Sequence, residues 1–381
     1  MNRQFSRILV RGVNWLGDAV MTTPALLRLR AAHPSAHITL LTAEKLADLW
    51  VSHPAINAVL TFSAQESVWR VSRRLAAEHF DVALVLPNST RSALEVALAR
   101  IPQRLGYGGR GRNWLLTQAL PARAGAVAMH KRSEAEIKRL IATPRRPDAT
   151  GAERRRPEAH HLHHYLHLVA ALGASAEPLA PQICIADEEV RAARVKFGLQ
   201  ESIQWFGLNA GAEYGPAKRW PRERFLFLAR EVAAWPGWGV IVFGGKGDLS
   251  LTSKLEAEFR AAAQEWKFEP TFVNVAGQTS LRELGALLKC CRVLLTNDSG
   301  PMHLAAAVGT PVVVPFGSTS PELTGPGLPG DLRQQLLTAS AACAPCFRRE
   351  CPIDFRCLNG ITTERVIEAV RRASEYSSPS L

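Results

Sequence analysis

Residues 294–317, LLTNDSGPMHLAAAVGTPVVVPFG, restrict the possible folds more than any other stretch of the chain. An apolar run ends at Thr296 and meets the polar turn Asn297-Asp298-Ser299-Gly300. Pro301 is expected at the first helical position, where its missing N–H costs nothing. Asp298 and Ser299 are suitable capping residues just before it. Gly309 and Pro311 end the helix after about two turns, and 312–316 is the next buried strand. This strand–turn–helix–strand unit belongs in a parallel sheet. Its helix start offers free N–H groups and a partial positive charge, so it can hold an anion. Asp298, Ser299 and His303 crowd that end; the competing reading is an ordinary capped helix.

The same rhythm runs through most of the chain. Strands are expected at 7–11, 37–41, within 55–62 and at 81–86, with helices near 18–32 and 91–99. After a Pro-, Arg- and Glu-rich stretch at 144–159 and a helix with Leu162, Leu166 and Val169, the alternation restarts. Helices are expected at 188–198, 223–234, 249–263, 281–290 and 363–375, and strands at 205–209, 239–243 and 271–275. The pattern predicts an α/β protein of two doubly wound parallel sheets. A length of 381 residues suits two such domains. The expected boundaries are 1–178, 179–360 and a C-terminal helical segment 361–381, with ligands in a cleft that the two domains face.

Composition narrows the setting. No apolar run approaches the roughly 20 residues of a membrane-spanning helix, and the first residues lack a signal-peptide pattern. A cytoplasmic protein is expected, with its seven Cys reduced. Residues 100–160 hold 14 Lys/Arg against 5 Asp/Glu, most of the chain's net +12. That local charge suggests an anionic partner. Nucleic acid is disfavoured, because no recognised binding module accompanies it.

Three loops follow strands and carry groups that can do chemistry. In 13–24 (VNWLGDAVMTTP), Gly17 permits close backbone approach and Asp18 starts a helix, as a cap or as a general base. No GxGxxG is present there. In 209–221 (NAGAEYGPAKRWP), Lys218 and Arg219 bring two cations suited to a diphosphate. In 244–248 (GGKGD), Asp248 is placed to accept hydrogen bonds from a sugar hydroxyl or to cap its own helix. It is not a P-loop, which argues against kinases and ATPases of that class.

RILVRGVNWLGDAVMTTPALLRLR, LPNSTRSALEVALARIPQRLGY, GAEYGPAKRWP and TNDSGPMHLAAAVGTPVVVPFG together resemble the bacterial ADP-heptose:lipopolysaccharide heptosyltransferases, glycosyltransferase family 9, and within them heptosyltransferase II. The resemblance implies a GT-B fold, with the acceptor in the N-terminal Rossmann-like domain and the ADP-sugar in the C-terminal one. The last helix is then expected to pack back toward the N-terminal domain. It implies inverting transfer of L-glycero-D-manno-heptose from ADP-heptose to the inner core of lipopolysaccharide, with no cofactor and no metal required for catalysis. Asp18 matches the catalytic base. Gly17, Lys218, Arg219, Asp248, Asp298, Ser299, Gly300 and His303 match donor-binding positions, Lys218 also aiding catalysis. Asn88, Ser89, Arg104, Arg110 and Arg112 are the acceptor candidates. An anionic acceptor at the cytoplasmic face of the inner membrane, met peripherally, accounts for the basic region. Competing readings are a family relative with another donor or acceptor and a catalytically silent sugar-nucleotide- or lipopolysaccharide-binding protein.

Two clusters have metal-like spacing. Cys343-x2-Cys346-x4-Cys351-x5-Cys357 can hold a structural zinc; reduced thiols and a disulfide are the other readings. His160, His161, His163, His164 and His167 lack an HExxH pattern and are expected to form a polar helix face near the acceptor.

Overall fold

The computed structural model describes residues 5–109, 111–142, 157–266 and 268–376. The chain divides into two compact units, Met1–Ala126 with Glu158–Cys184, and Val127–Pro157 with Ile185–Leu381. The boundary therefore lies a few residues beyond 178, and the second unit also takes a segment from the middle of the chain. Arg110 and most of the expected basic insertion at 144–159 lie outside the described residues.

In the first unit, strands β1 (Arg7–Arg11), β2 (His37–Ala43), β3 (Ala58–Phe62), β4 (Val82–Val85), β5 (Gln103–Tyr107) and β6 (Gln118–Leu120) form one sheet of order β3-β2-β1-β4-β5-β6. Every pairing is parallel. Helices α1 (Leu16–Ala32), α2 (Val68–Ala76) and α3 (Thr90–Leu98) are crossovers. The central strands are apolar on both faces, as a covered parallel sheet requires. β5 and β6 escape the sequence reading because QRLGY and QAL are polar and lie toward the sheet edge. Pro24 sits inside α1 and removes the N–H that would bond Val20 O. The Thr23 hydroxyl donates to that carbonyl instead, at 2.8 Å, so the helix runs on.

The second unit begins with α4 (Glu134–Ala142), whose Ile137 is buried in its core. The chain returns to the first unit for α5 (Leu162–Ala170), then continues in the second with α6 (Asp187–Phe197), β7 (Gln204–Asn209), α7 (Arg222–Ala233), β8 (Trp238–Val242), α8 (Leu249–Ala263), β9 (Thr271–Asn274) and α9 (Leu281–Cys290). β10 (Cys291–Thr296), α10 (Gly300–Ala307), β11 (Val312–Pro315), α11 (Pro321–Thr324), β12 (Gln334–Leu337), α12 (Arg356–Asn359) and α13 (Thr363–Glu375) complete it. Its sheet is also parallel, ordered β12-β11-β10-β7-β8-β9.

The C-terminal helix does not leave this unit. Val366, Ala369, Val370 and Ala373 repeat at helical spacing and lie in the same core as Trp220, Phe225 and Leu358. Within that unit its apolar stripe packs on β10, β11, β12 and α7.

Within the first unit, Arg11 at the end of β1 is buried and paired with buried Glu95 of α3 at 2.8 Å. Its guanidinium lies 4.3 Å from the Phe62 ring centroid and donates to Gly12 O at 2.5 Å. Removing one partner of a buried pair leaves an uncompensated charge, a loss of about 3–5 kcal/mol. Glu95→Ala should lower the stability of the first unit by that amount in urea unfolding; a change under about 1 kcal/mol would show that Arg11 is satisfied without it.

Candidate functional site

Both sheets reverse strand order once: between β1 and β4 in the first unit, and between β7 and β10 in the second. The carboxyl ends of strands at such a point are the usual ligand position in open α/β sheets. All three sequence-derived loops emerge from carboxyl ends of this kind of strand, and two of them start at the reversal itself.

In the first unit, Arg11 fixes the loop after β1 through Gly12 O and Asn14 Oδ1. The loop delivers Gly17 and Asp18 to the first turn of α1. The Asp18 carboxylate is about one-third exposed (32%). Tyr165 of α5 donates its hydroxyl to Asp18 Oδ1 at 3.2 Å, and His161 Nε2 lies 4.0 Å from the same oxygen. The polar face of α5 thus meets the candidate base, a neighbourhood that sequence spacing could not show.

A stack of rings continues from there. His161 lies over His164, with centroids 5.0 Å apart, and His164 over Tyr107 at 3.9 Å. Tyr107 in turn donates to His164 O and meets His167 Nδ1 at 2.8 Å. Burial holds the His161 imidazole below its usual pKa, opposed by Asp18. Burial also pushes the Tyr107 and Tyr165 hydroxyls up. His164 is pushed down to about 3, chiefly by burial, with His161, His167 and Arg123 adding like charge. Burial thus favours the neutral form of the His161 and His164 rings. Tyr107 and Tyr165 carried no sequence signal beyond being aromatic.

The acceptor candidates separate by burial. Asn88 is exposed beyond β4. Ser89 caps α3, accepting from Ser92 N at 3.2 Å. Arg104 is engaged with Leu115 O and Ile101 O, at 2.8 and 2.6 Å. Arg112 is buried and donates to Pro87 O at 2.7 Å, which ties the loop carrying Asn88. Both arginines brace loops, because their long side chains turn back onto backbone carbonyls.

In the second unit, the turn after β10 departs from the sequence reading. α10 starts at Gly300, one residue before Pro301, and neither Asp298 nor Ser299 caps it through its side chain. Ser299 Oγ donates to Asn297 O and accepts from Asn209 Nδ2, both at 3.2 Å. Asp298 is buried, and a buried carboxylate needs a cation. Its Oδ2 meets Lys218 Nζ at 2.7 Å and accepts from the Thr319 hydroxyl. Asn297 accepts from Trp220 N at 2.9 Å and donates to Ala210 O at 2.7 Å, welding the turn to the loop after β7. His303 is buried within α10. Lys218, Asp298, Ser299 and Gly300 are thus brought together, with Thr319, Asn209 and Asn297 as partners the sequence did not single out.

That loop requires its glycines. Gly215 has φ +146°, and a Cβ there would stand 2.5 Å from Arg349 O. A Cβ on Gly211 would stand 2.5 Å from the Asp248 carboxylate. Asp248 itself accepts from Gly245 N at 3.0 Å, so it closes its own turn beside the loop. Arg219 donates to Ala212 O at 3.1 Å. It also lines an open cavity of about 270 Å³ with Trp220, Arg222 and Leu251.

Among the described residues, no three His, Cys, Asp or Glu side chains stand in metal-ligand geometry, the histidine-rich helix included. Nor is any helix long and apolar enough to cross a membrane.

The depressed His164 pKa has a pH signature. The unfolded imidazole takes a proton near pH 6.5, and the native one only near 3. The stability this ring contributes is complete above pH 6.5 and is lost as pH falls toward 3. In NMR, the His164 ring carbons should not shift between pH 8 and about 5. A midpoint near 6.5 would mean that the stack is open to water.

The family model for glycosyltransferase family 9 (heptosyltransferase) matches residues 150–355, more than half the chain. Lipopolysaccharide heptosyltransferase 2 of Salmonella typhimurium is 29% identical over 327 residues, covering 84% of this chain and 85% of that protein. The structure of E. coli ADP-heptose LPS heptosyltransferase II superposes with a TM-score of 0.75 at 27% identity, covering 97% and 98% of the two chains. A family 9 glycosyltransferase from Veillonella parvula shares the fold, with a TM-score of 0.75 at 23% identity over 99% of each chain. The two parallel six-stranded sheets are thus those of the GT-B heptosyltransferases, and the chain belongs to glycosyltransferase family 9, the heptosyltransferases.

Proposed function

We propose that this protein transfers L-glycero-D-manno-heptose from ADP-heptose, with inversion, to a lipopolysaccharide inner-core acceptor that already carries one heptose. The observation that carries this reading is the Lys218–Asp298 pair at the start of α10, at the strand-order reversal of the second sheet. Asp298 and Thr319 fix the Lys218 ammonium before any ligand arrives. A fixed cation beside the positive end of a helix suits the diphosphate that departs with the nucleotide.

The first unit supplies the other half of the chemistry. Asp18 removes the proton of the acceptor hydroxyl as that oxygen attacks the anomeric carbon, and ADP leaves from the opposite face. Tyr165 donates to Asp18 Oδ1 and so holds the carboxylate in place. The net charge of residues 100–160 favours an acidic glycolipid at a membrane surface. The likeness to heptosyltransferase 2 of Salmonella typhimurium and E. coli supports the one-heptose acceptor over the bare one.

Incubation with ADP-heptose and acceptors bearing zero, one or two heptoses tests the assignment by mass. One heptose should be added only to the one-heptose acceptor; transfer to the bare acceptor would change the specificity, and no transfer to any would point to a silent binding protein. Asp18→Asn should lower kcat about 10²- to 10⁴-fold with donor affinity retained; near-normal turnover would remove Asp18 as the base. Lys218→Ala should weaken ADP binding about 10- to 100-fold, the worth of a hydrogen bond to a charged group. Calorimetric titration alongside a thermal melt separates that loss from unfolding, and unchanged affinity would exclude the diphosphate role.

A further inference from the structure

We propose that Cys343, Cys346, Cys351 and Cys357 hold one divalent transition-metal ion as a tetrathiolate, and that this site braces the loop carrying Lys218. The four thiols come together around one small cavity, also lined by Ser318, Ala217 and Arg356. Three of them are buried and all are free of disulfides. The cavity's volume of about 10 Å³ suits a single small occupant.

Three further features set this pocket apart from a patch of cysteines packed as small apolar groups. The Ser318 hydroxyl is 1% exposed and has no hydrogen-bond partner, yet it lines the cavity. A buried orphan hydroxyl is costly, and a thiolate formed on metal binding gives it an acceptor. Phe355 N already donates to Cys351 Sγ at 3.3 Å. Ser318 O accepts from both Cys346 N and Phe347 N, at 2.9 and 2.7 Å, folding the Cys343–Cys346 turn over the cavity. Arg356 stands at the wall, paired with Asp354 at 2.9 Å.

The thiols are not drawn into ligand geometry in the structure, so the site closes on the ion. Each ligand gives up its proton: one M²⁺ and four thiols yield an M(S)₄ centre of charge −2 and four protons in solvent, with no change of oxidation state. Soft thiolates select zinc or ferrous iron over magnesium or calcium.

The loop between the second and third cysteines grips the Lys218 turn. Arg349 O accepts from Ala217 N at 3.0 Å, and Phe347 O accepts from the Tyr214 hydroxyl at 2.8 Å. The Tyr214 ring also meets two cations, Lys218 Nζ at 4.8 Å and the Arg349 guanidinium at 5.2 Å. Tightening the cysteine loop therefore fixes the backbone that leads into Lys218. This second half of the inference rests on Lys218 holding the donor diphosphate; the metal site does not.

The test uses full-length protein purified without an affinity tag. Elemental analysis should find about one zinc or iron per chain, and Cys346→Ser and Cys357→Ser should each lose most of it. Ferrous iron would add thiolate-to-metal absorption in the near ultraviolet and supports the same site. No bound metal, with all four thiols reacting in folded protein, or a disulfide in the intact mass, overturns the site. If the variants fail to fold, chelation and readdition on the wild-type chain replace them. Chelation should lower the melting temperature and raise the Kd for ADP several-fold, and zinc should restore both. Metal loss with an unchanged ADP Kd would overturn the brace and leave the metal site standing.

Discussion

Parallel pairing is the constraint on which the rest of the structure depends. A parallel strand cannot be joined to its neighbour by a tight turn, so every strand end feeds a crossover. All carboxyl ends of a sheet then emerge along one edge, and their loops collect whatever polar residues the chain places after each strand. In the first unit these are the loops after β1 and β4, with Asp18 and Asn88. In the second they are the loops after β7 and β10, with Lys218 and Asp298. Distant segments become neighbours through strand order.

Buried charge is the second organising element. Arg11 pairs with Glu95, and Lys218 with Asp298. Such pairs add little net stability but are costly to break, so they fix geometry. Arg11 thereby sets the loop that carries Asp18. Asp298 sets Lys218, and its carboxylate is turned to that cation and to Thr319 rather than to the helix start. Reading Asp298 as a cap mistook a positioning residue for a local one, because Lys218 is eighty residues away in sequence.

Most of the architecture was legible. α8, α9 and α13 begin and end where hydrophobic spacing and capping residues put them. The buried central strands stand out as apolar runs. What stayed hidden was polar or shared between distant segments. β5, β6 and β12 each carry Gln, β5 an Arg as well, and they sit toward sheet edges. α4 joins the second unit because Ile137 completes a core assembled about seventy residues later. Arg104 and Arg112 looked like free cations, and the fold spends both on backbone carbonyls.

By itself the sequence determined the parallel α/β class and the family, because these follow from local spacing and from motifs within a few dozen residues. Only the tertiary structure decided which groups hold one another. It set Tyr165 and His161 against Asp18, tied Asp298 to Lys218, gathered four cysteines around one cavity and kept α13 in the second unit. The physical reason is the same in each case. Burial and charge pairing depend on which surfaces meet when the crossovers close, and no stretch of sequence carries that information alone.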